Sequence, residues 1–117
     1  MEVLFRMNFL GKGKRASERK PVFVVALGKW QSSFYGRGWF TALDGSIHNL
    51  SVSGKPGEVY SNNIWFTLDD GLTLQQAKDL FQDKAIKALI EQKNLEIEKL
   101  EERKNRLKKD IEFLKEI

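Results

Sequence analysis

From Thr73 to Ile117 the chain contains no glycine and no proline. Leu, Ile, Ala, Glu, Lys and Gln dominate this stretch, and apart from the branched isoleucines all favour helix. The outcome expected of such a segment is a long helix, about 67 Å if unbroken. Thr73-Leu74-Gln75-Gln76 supplies its start as a capping box. The Thr73 hydroxyl caps the first free amides and the Gln76 side chain reaches back to the cap. A break into two helices would fall near Gln92–Glu96, where Asn94 is the weakest helix former.

The apolar residues of this segment follow a heptad. Ile86, Ile90, Lys93, Ile97, Leu100, Lys104, Leu107, Ile111 and Leu114 recur at alternating spacings of four and three. Isoleucine holds position a at 90, 97 and 111; leucine holds d at 100, 107 and 114. That is a coiled-coil seam interrupted by two lysines. Ile90, Ile97, Leu100, Leu107, Ile111 and Leu114 are therefore the expected oligomerisation residues. A parallel pair would set Glu96 against Glu101 and Arg103 against Lys108, with only Asp110 and Lys115 favourable. Antiparallel packing brings Glu101 near Lys108, so an antiparallel pair, a helical hairpin or a higher oligomer is expected. Each seam lysine must snorkel outward or find an acidic partner. The competing reading is a helix packed along its own β domain, which also produces an apolar stripe.

Residues 1–72 read as strands and turns. Val3–Phe9 partly alternates apolar with polar. Pro21–Leu27 is a continuous apolar run, as for a strand covered on both faces. Gly38–Leu43 and Ser46–Val52 flank Asp44-Gly45, which signals a tight primed hairpin turn. Ser53–Glu58 is a further turn. Val59–Leu68 is one bent strand, or two short ones split at Asn62-Asn63. The expected fold class is α+β: a small antiparallel β barrel or curled sheet over residues 1–72, then a long helix or helical hairpin over 73–117. A sheet of this size, without disulfides or metal, is near the lower limit for an independent core. Its aromatics come in adjacent pairs, Phe34-Tyr35, Trp39-Phe40 and Trp65-Phe66. Neighbours along a strand point to opposite faces. One of each pair can enter a core, and the other must pack on a helix, meet another subunit or stand in a site.

The 117 residues carry a net charge of +4 and no cysteine. Disulfides and thiolate metal sites are thereby excluded, and a reducing compartment is favoured. No apolar run approaches the roughly 20 residues of a membrane helix. The apolar start "MEVLFRMNFL" lacks the basic region and cleavage site of a signal peptide. A cytoplasmic protein with no membrane partner is expected. The charge excess lies in residues 1–72, at +3 against +1 for the helix. It is densest in "GKGKRASERK", with five basic residues and one acid. Such a segment attracts phosphate or an acidic partner, or simply keeps a loop solvated.

Catalysis finds little support in the residues. The one histidine, His48, has no cysteine or serine motif to activate. Asp69-Asp70-Gly71 lacks the spacing of a calcium loop and reads as a lead-in to the capped helix, where acids suit the positive end of the dipole. No enzyme activity, metal or cofactor is expected. "SSFYGRGWF" points elsewhere. Arg37 stands between two glycines that allow close backbone approach, and guanidinium binds phosphate and stacks on rings. Trp30, Tyr35 and Trp39 could stack on bases. Arg6, Asn8, Lys14 and Arg15 add donors. These eight form the candidate binding set for a phosphate-bearing nucleotide, with a hairpin tip bearing an exposed arginine as the plain alternative. The net charge is thin for a broad polymer groove, which favours a small nucleotide over single-stranded nucleic acid.

In layout the chain resembles the phage-encoded Thoeris anti-defence protein 1 family. The stretches to compare are "MEVLFRMNF", "SFYGRGWF" and the strand-to-helix junction "WFTLDDGLTLQQAKDLF". The resemblance covers the whole chain as a β domain followed by long helix, and no functional residue is carried over from it. It implies a non-enzymatic oligomer in a bacterial host cell that sequesters cyclic ADP-ribose isomers or cyclic oligonucleotides. The expectation is thus a homo-oligomeric nucleotide-sequestering protein. The alternatives are a coiled-coil interaction or inhibitor protein that docks on a protein partner, and a single-stranded nucleic-acid binder.

Overall fold

The computed structural model describes residues 1–117 apart from 11–12, 14, 33–36 and 52–54. Among the described residues the chain forms five strands and one long helix. The strands are β1 (Glu2–Leu10), β2 (Lys20–Ser32), β3 (Arg37–Ala42), β4 (Ile47–Ser51) and β5 (Asn63–Thr67), and the helix is α1 (Leu74–Lys115). A one-turn 3-10 helix at Ala16–Glu18 precedes β2.

The strands make one antiparallel sheet in the order β4-β3-β2-β1-β5. The α+β class is as expected, but the sheet is open and does not close into a barrel. The reason is topological. β1 pairs on one side with β2 and on the other with β5. That leaves β4 and β5 at opposite edges with three strands between them, and closure would need them to meet.

Two turns define the hairpins. Asp44-Gly45 does join β3 to β4, but the loop is a residue longer than a two-residue primed turn. The Gly45 amide donates to the Ala42 carbonyl at 3.0 Å, and the Ala42 amide to the Ser46 carbonyl at 2.9 Å. Gly45 takes positive φ (87°) and Asp44 does not. This is a three-residue loop whose last position is left-handed, a role glycine fills without strain. The primed two-residue turn lies instead at Ser61-Asn62, with φ of 49° and 68°. Tyr60 and Asn63 exchange both backbone hydrogen bonds across it at 3.0 Å. β5 therefore begins at Asn63, and the Val59–Leu68 run is a turn followed by one short strand.

Both faces of the sheet are packed. On one face Val3, Phe5, Leu27, Ile64 and Phe66 meet Ala77 and Ala85 of α1. The small alanines let the helix approach the strands closely. Phe81 stacks on Phe66 with ring centroids 4.6 Å apart, and Phe5 meets Phe66 edge-on at 5.9 Å. On the other face Leu4, Phe40, Ala42 and Trp65 form a second cluster, against which Ala26 and Trp30 pack. Trp30 tilts onto Trp65 at 6.1 Å. The adjacent aromatic pair Trp65-Phe66 is thus divided between two cores and needs no second subunit.

The capping box forms as the sequence predicts. The Gln76 amide donates to Thr73 Oγ1 at 3.2 Å and the Thr73 amide to Gln76 Oε1 at 2.8 Å. The helix then runs through Asn94 without a break, because one poor helix former costs only a fraction of a kcal/mol against good neighbours. α1 lies on β1, β2 and β5. Its sheet contact ends near Lys93 and Asn94, and every residue from Leu95 to Ile117 is exposed. The molecule measures 68 × 31 × 30 Å, its long dimension set by this helix.

Candidate functional site

The sheet distributes the predicted binding residues rather than gathering them. Registered partners share a face. Trp30 pairs with Phe40 and Gln31 with Trp39, so Trp30 and Trp39 lie on opposite faces. Trp30 is packed in the second cluster, whereas Trp39 is 37 % exposed. Arg6 and Asn8 stand on the same face as Trp30, opposite Val24 and Val22 of β2. Val24 and Trp30 are six steps apart along β2, roughly 20 Å at strand rise. Arg15 is exposed and its carbonyl accepts the Glu18 amide at 2.9 Å. Lys14 and Tyr35 lie outside the described residues, as does the Arg37 side chain; the Arg37 backbone pairs with Ser51.

The second glycine of Gly36-Arg37-Gly38 has a packing reason. A Cβ on Gly38 would stand 2.0 Å from the tip of the Trp30 ring and 2.2 Å from the Gln31 carbonyl oxygen. Glycine there makes room for the indole and the neighbouring strand. Close approach to a ligand is not needed to account for it.

What remains in common is one end of the sheet. Arg6, Asn8 and Asn63 lie near the C-terminal end of β1, where Leu10 pairs with Lys20. The exposed Arg15 and Arg19 of the β1–β2 connection, and Lys20 at the start of β2, lie at that same end. The arrangement concentrates positive charge and amide groups without the tryptophans.

The helix presents the other candidate surface. Ala77, Phe81, Ala85 and Ala88 follow the line that faces the sheet. The heptad seam follows a different line, roughly a third of a turn around the helix. Ile90, Ile97, Leu100, Leu107, Ile111 and Leu114 are between 51 % and 65 % exposed. Sheet packing therefore does not explain the seam. Beside the sheet its first residues, Ile86 and Ile90, border an apolar groove of about 230 Å³ shared with Met7 and Phe23.

Lys93 is the seam lysine with a visible role. Its Nζ donates to the Asn62 side-chain oxygen and lies 3.8 Å from Glu96. The Asn62 carbonyl accepts the Met7 amide at 3.0 Å. Lys93 thus ties the helix to the primed turn at the point where helix and sheet part. Sequence reasoning identified Lys93 only as an interruption. The signal available was a lysine in an apolar stripe together with an Asn-Asn pair suited to a turn.

At the other hairpin, Ser46 Oγ donates to Asp44 Oδ1 at 2.6 Å and lies 3.4 Å from His48 Nε2. The Ser46 amide also donates to Asp44 Oδ1, at 2.9 Å. The Ser46 side-chain and backbone hydrogen bonds hold the Asp44 carboxyl below its ordinary pKa, with a smaller contribution from His48. The serine proton is committed to the carboxylate, so the contact shapes the turn rather than activating the hydroxyl toward His48. Among the described residues no three His, Asp or Glu side chains cluster as a metal site. No helix there is long and apolar enough to cross a membrane. No protein-family model, curated protein or solved structure matches the chain.

Proposed function

We propose that this chain is a non-enzymatic, homo-oligomeric binding protein. The distal half of α1 joins the copies, and the sheet body carries the binding surface. One observation carries the reading: the seam keeps its heptad through a length of helix, from Leu95 onward, in which every residue is exposed. Apolar residues that keep a partner's spacing along a projecting helix are most economically explained by a partner. The test is the mass in solution. Leu100→Asp with Leu107→Asp should reduce the assembly to single chains in sedimentation equilibrium, with the sheet's circular dichroism retained. An unchanged mass would refute the assembly role.

The charge at one end of the sheet supports a second reading, a phosphate-bearing ligand. Arg6, Asn8 and Arg15 would supply the donors, since guanidinium groups favour bidentate phosphate contacts. A cyclic ADP-ribose isomer or cyclic oligonucleotide, sequestered in the cytoplasm of a bacterial cell, is the ligand class this reading names. A thermal-shift series with such compounds tests it. Ligand at about 100 times its Kd adds roughly 2.7 kcal/mol of apparent stability. That shift should vanish in Arg6→Ala, and no shift with any member of the series would refute the reading.

A further inference from the structure

We infer that the partner of the distal helix is a second copy of this chain, packed antiparallel about a two-fold axis between Asn105 and Arg106. This rests on the homo-oligomer reading above and specifies its orientation and register.

The charges beside the seam select that register. In antiparallel pairs an e position faces e and a g position faces g, each about two residues offset from the residue directly opposite. Centred between 105 and 106, the pair sets Glu101 beside the partner's Lys108 and Arg103 beside the partner's Asp110. Symmetry repeats both contacts, giving four attractive pairs. The remaining flanking contacts are neutral: Asn94 with the partner's Lys115, and Glu96 with the partner's Ile117.

The neighbouring registers fail on the same test. Moved one heptad toward the sheet, the pair sets Glu101, Arg103 and Glu96 against the partner's Glu101, Arg103 and Asp110. Moved one heptad outward, it sets Lys108 against the partner's Lys108 and Asp110 against the partner's Asp110, and these two repulsions offset the two attractions it offers, Glu101 with the partner's Lys115 and the symmetry-related contact. A parallel pair retains Glu96 against Glu101 and Arg103 against Lys108.

The seam layers agree with this choice. Ile97 meets the partner's Leu114, Leu100 meets the partner's Ile111, and Leu107 packs on the stem of the partner's Lys104, whose ammonium snorkels to water. The overlap runs from Ile97 to Leu114, about 27 Å. It lies wholly within the part of the helix that leaves the sheet, which begins after Asn94. Ten half-exposed Ile and Leu side chains, each with on the order of 100 Å² uncovered, supply on the order of 1,000 Å², the scale at which a specific interface begins.

Sedimentation equilibrium of the full chain and of Glu101→Lys tests the register. In the antiparallel pair Glu101→Lys turns two attractions into two repulsions and should weaken dimerisation on the order of tenfold. Adding Lys108→Glu should restore it. In a parallel pair Glu101→Lys relieves the Glu96 repulsion and tightens the dimer instead. The absence of native cysteine allows a second measurement. A mixture of Leu100→Cys and Ile111→Cys chains should oxidise chiefly to the mixed disulfide dimer. A wild-type chain that stays single at all concentrations would overturn the assembly reading itself. A dimer that tightens with Glu101→Lys, or that yields only like-with-like disulfides, would overturn the antiparallel register alone.

Discussion

Gly38→Ala should destabilise the protein, although alanine is ordinarily the better strand residue. The added Cβ would meet the Trp30 ring at 2.0 Å and the Gln31 carbonyl oxygen at 2.2 Å. Carbon contacts are comfortable only near 3.5–4.0 Å, so the indole and the β2–β3 spacing must both give by more than an ångström. Overpacking of this kind costs about 1–3 kcal/mol. Alanine recovers about 0.4–1 kcal/mol by restricting the unfolded chain. The net expectation is a loss of about 1–2 kcal/mol. At about 4–8 °C per kcal/mol for a small domain, the thermal midpoint should fall by several degrees. The assay is urea and thermal unfolding followed by circular dichroism. Trp30→Ala measured alone and with Gly38→Ala completes a double-mutant cycle. Part of the Gly38→Ala loss should disappear when the indole is absent, leaving the part due to the Gln31 carbonyl. A neutral or stabilising Gly38→Ala, or a cycle with no coupling, would show that the ring does not occupy that space. The glycine would then need another explanation, including close approach to a ligand.

Two further outcomes follow from the cores and turns. Phe66→Ala removes a 5 %-exposed ring held between Phe5 and Phe81, and should cost about 3–5 kcal/mol in denaturant titration; a loss under 1 kcal/mol would contradict the packing of α1 on β5. The Asp44 carboxyl is held below its ordinary pKa by Ser46, so its small contribution to stability is complete above the unfolded-state pKa and is lost as pH falls through the lower folded value. An NMR titration should find that midpoint depressed in the native chain and raised in Ser46→Ala; equal midpoints would remove the Ser46 hydroxyl as a cause.

The legibility of this chain tracks the range over which each interaction acts. The cap at Thr73, the helix and the Asp44-Gly45 hairpin depend on residues within a few positions of one another, and all are readable from their own segments. The loop length at that hairpin is not, because one more residue in the turn depends on where β3 and β4 find register. The binding set illustrates the same limit. Trp30 and Trp39 are near in sequence, yet strand parity puts them on opposite faces, and a ring from β2 claims the space over Gly38. Arg6 and Arg15, nine positions apart just as the two tryptophans are, share one end of the sheet because β1 and β2 pair there.

The helix shows most plainly where local and tertiary information divide. Residue order alone established that Thr73 to Ile117 is helical, where it starts, and which residues form a seam. Those properties arise from backbone hydrogen bonds and side-chain spacing within one segment. Which length of the helix the sheet would cover was decided by the sheet. Pairing β5 beside β1 places β1, β2 and β5 under the first half of α1, and the primed turn that receives Lys93 marks where that floor ends. Beyond that point no strand among the described residues lies against the seam. The reason is the physical extent of nonlocal strand pairing, which no property of the helical segment encodes.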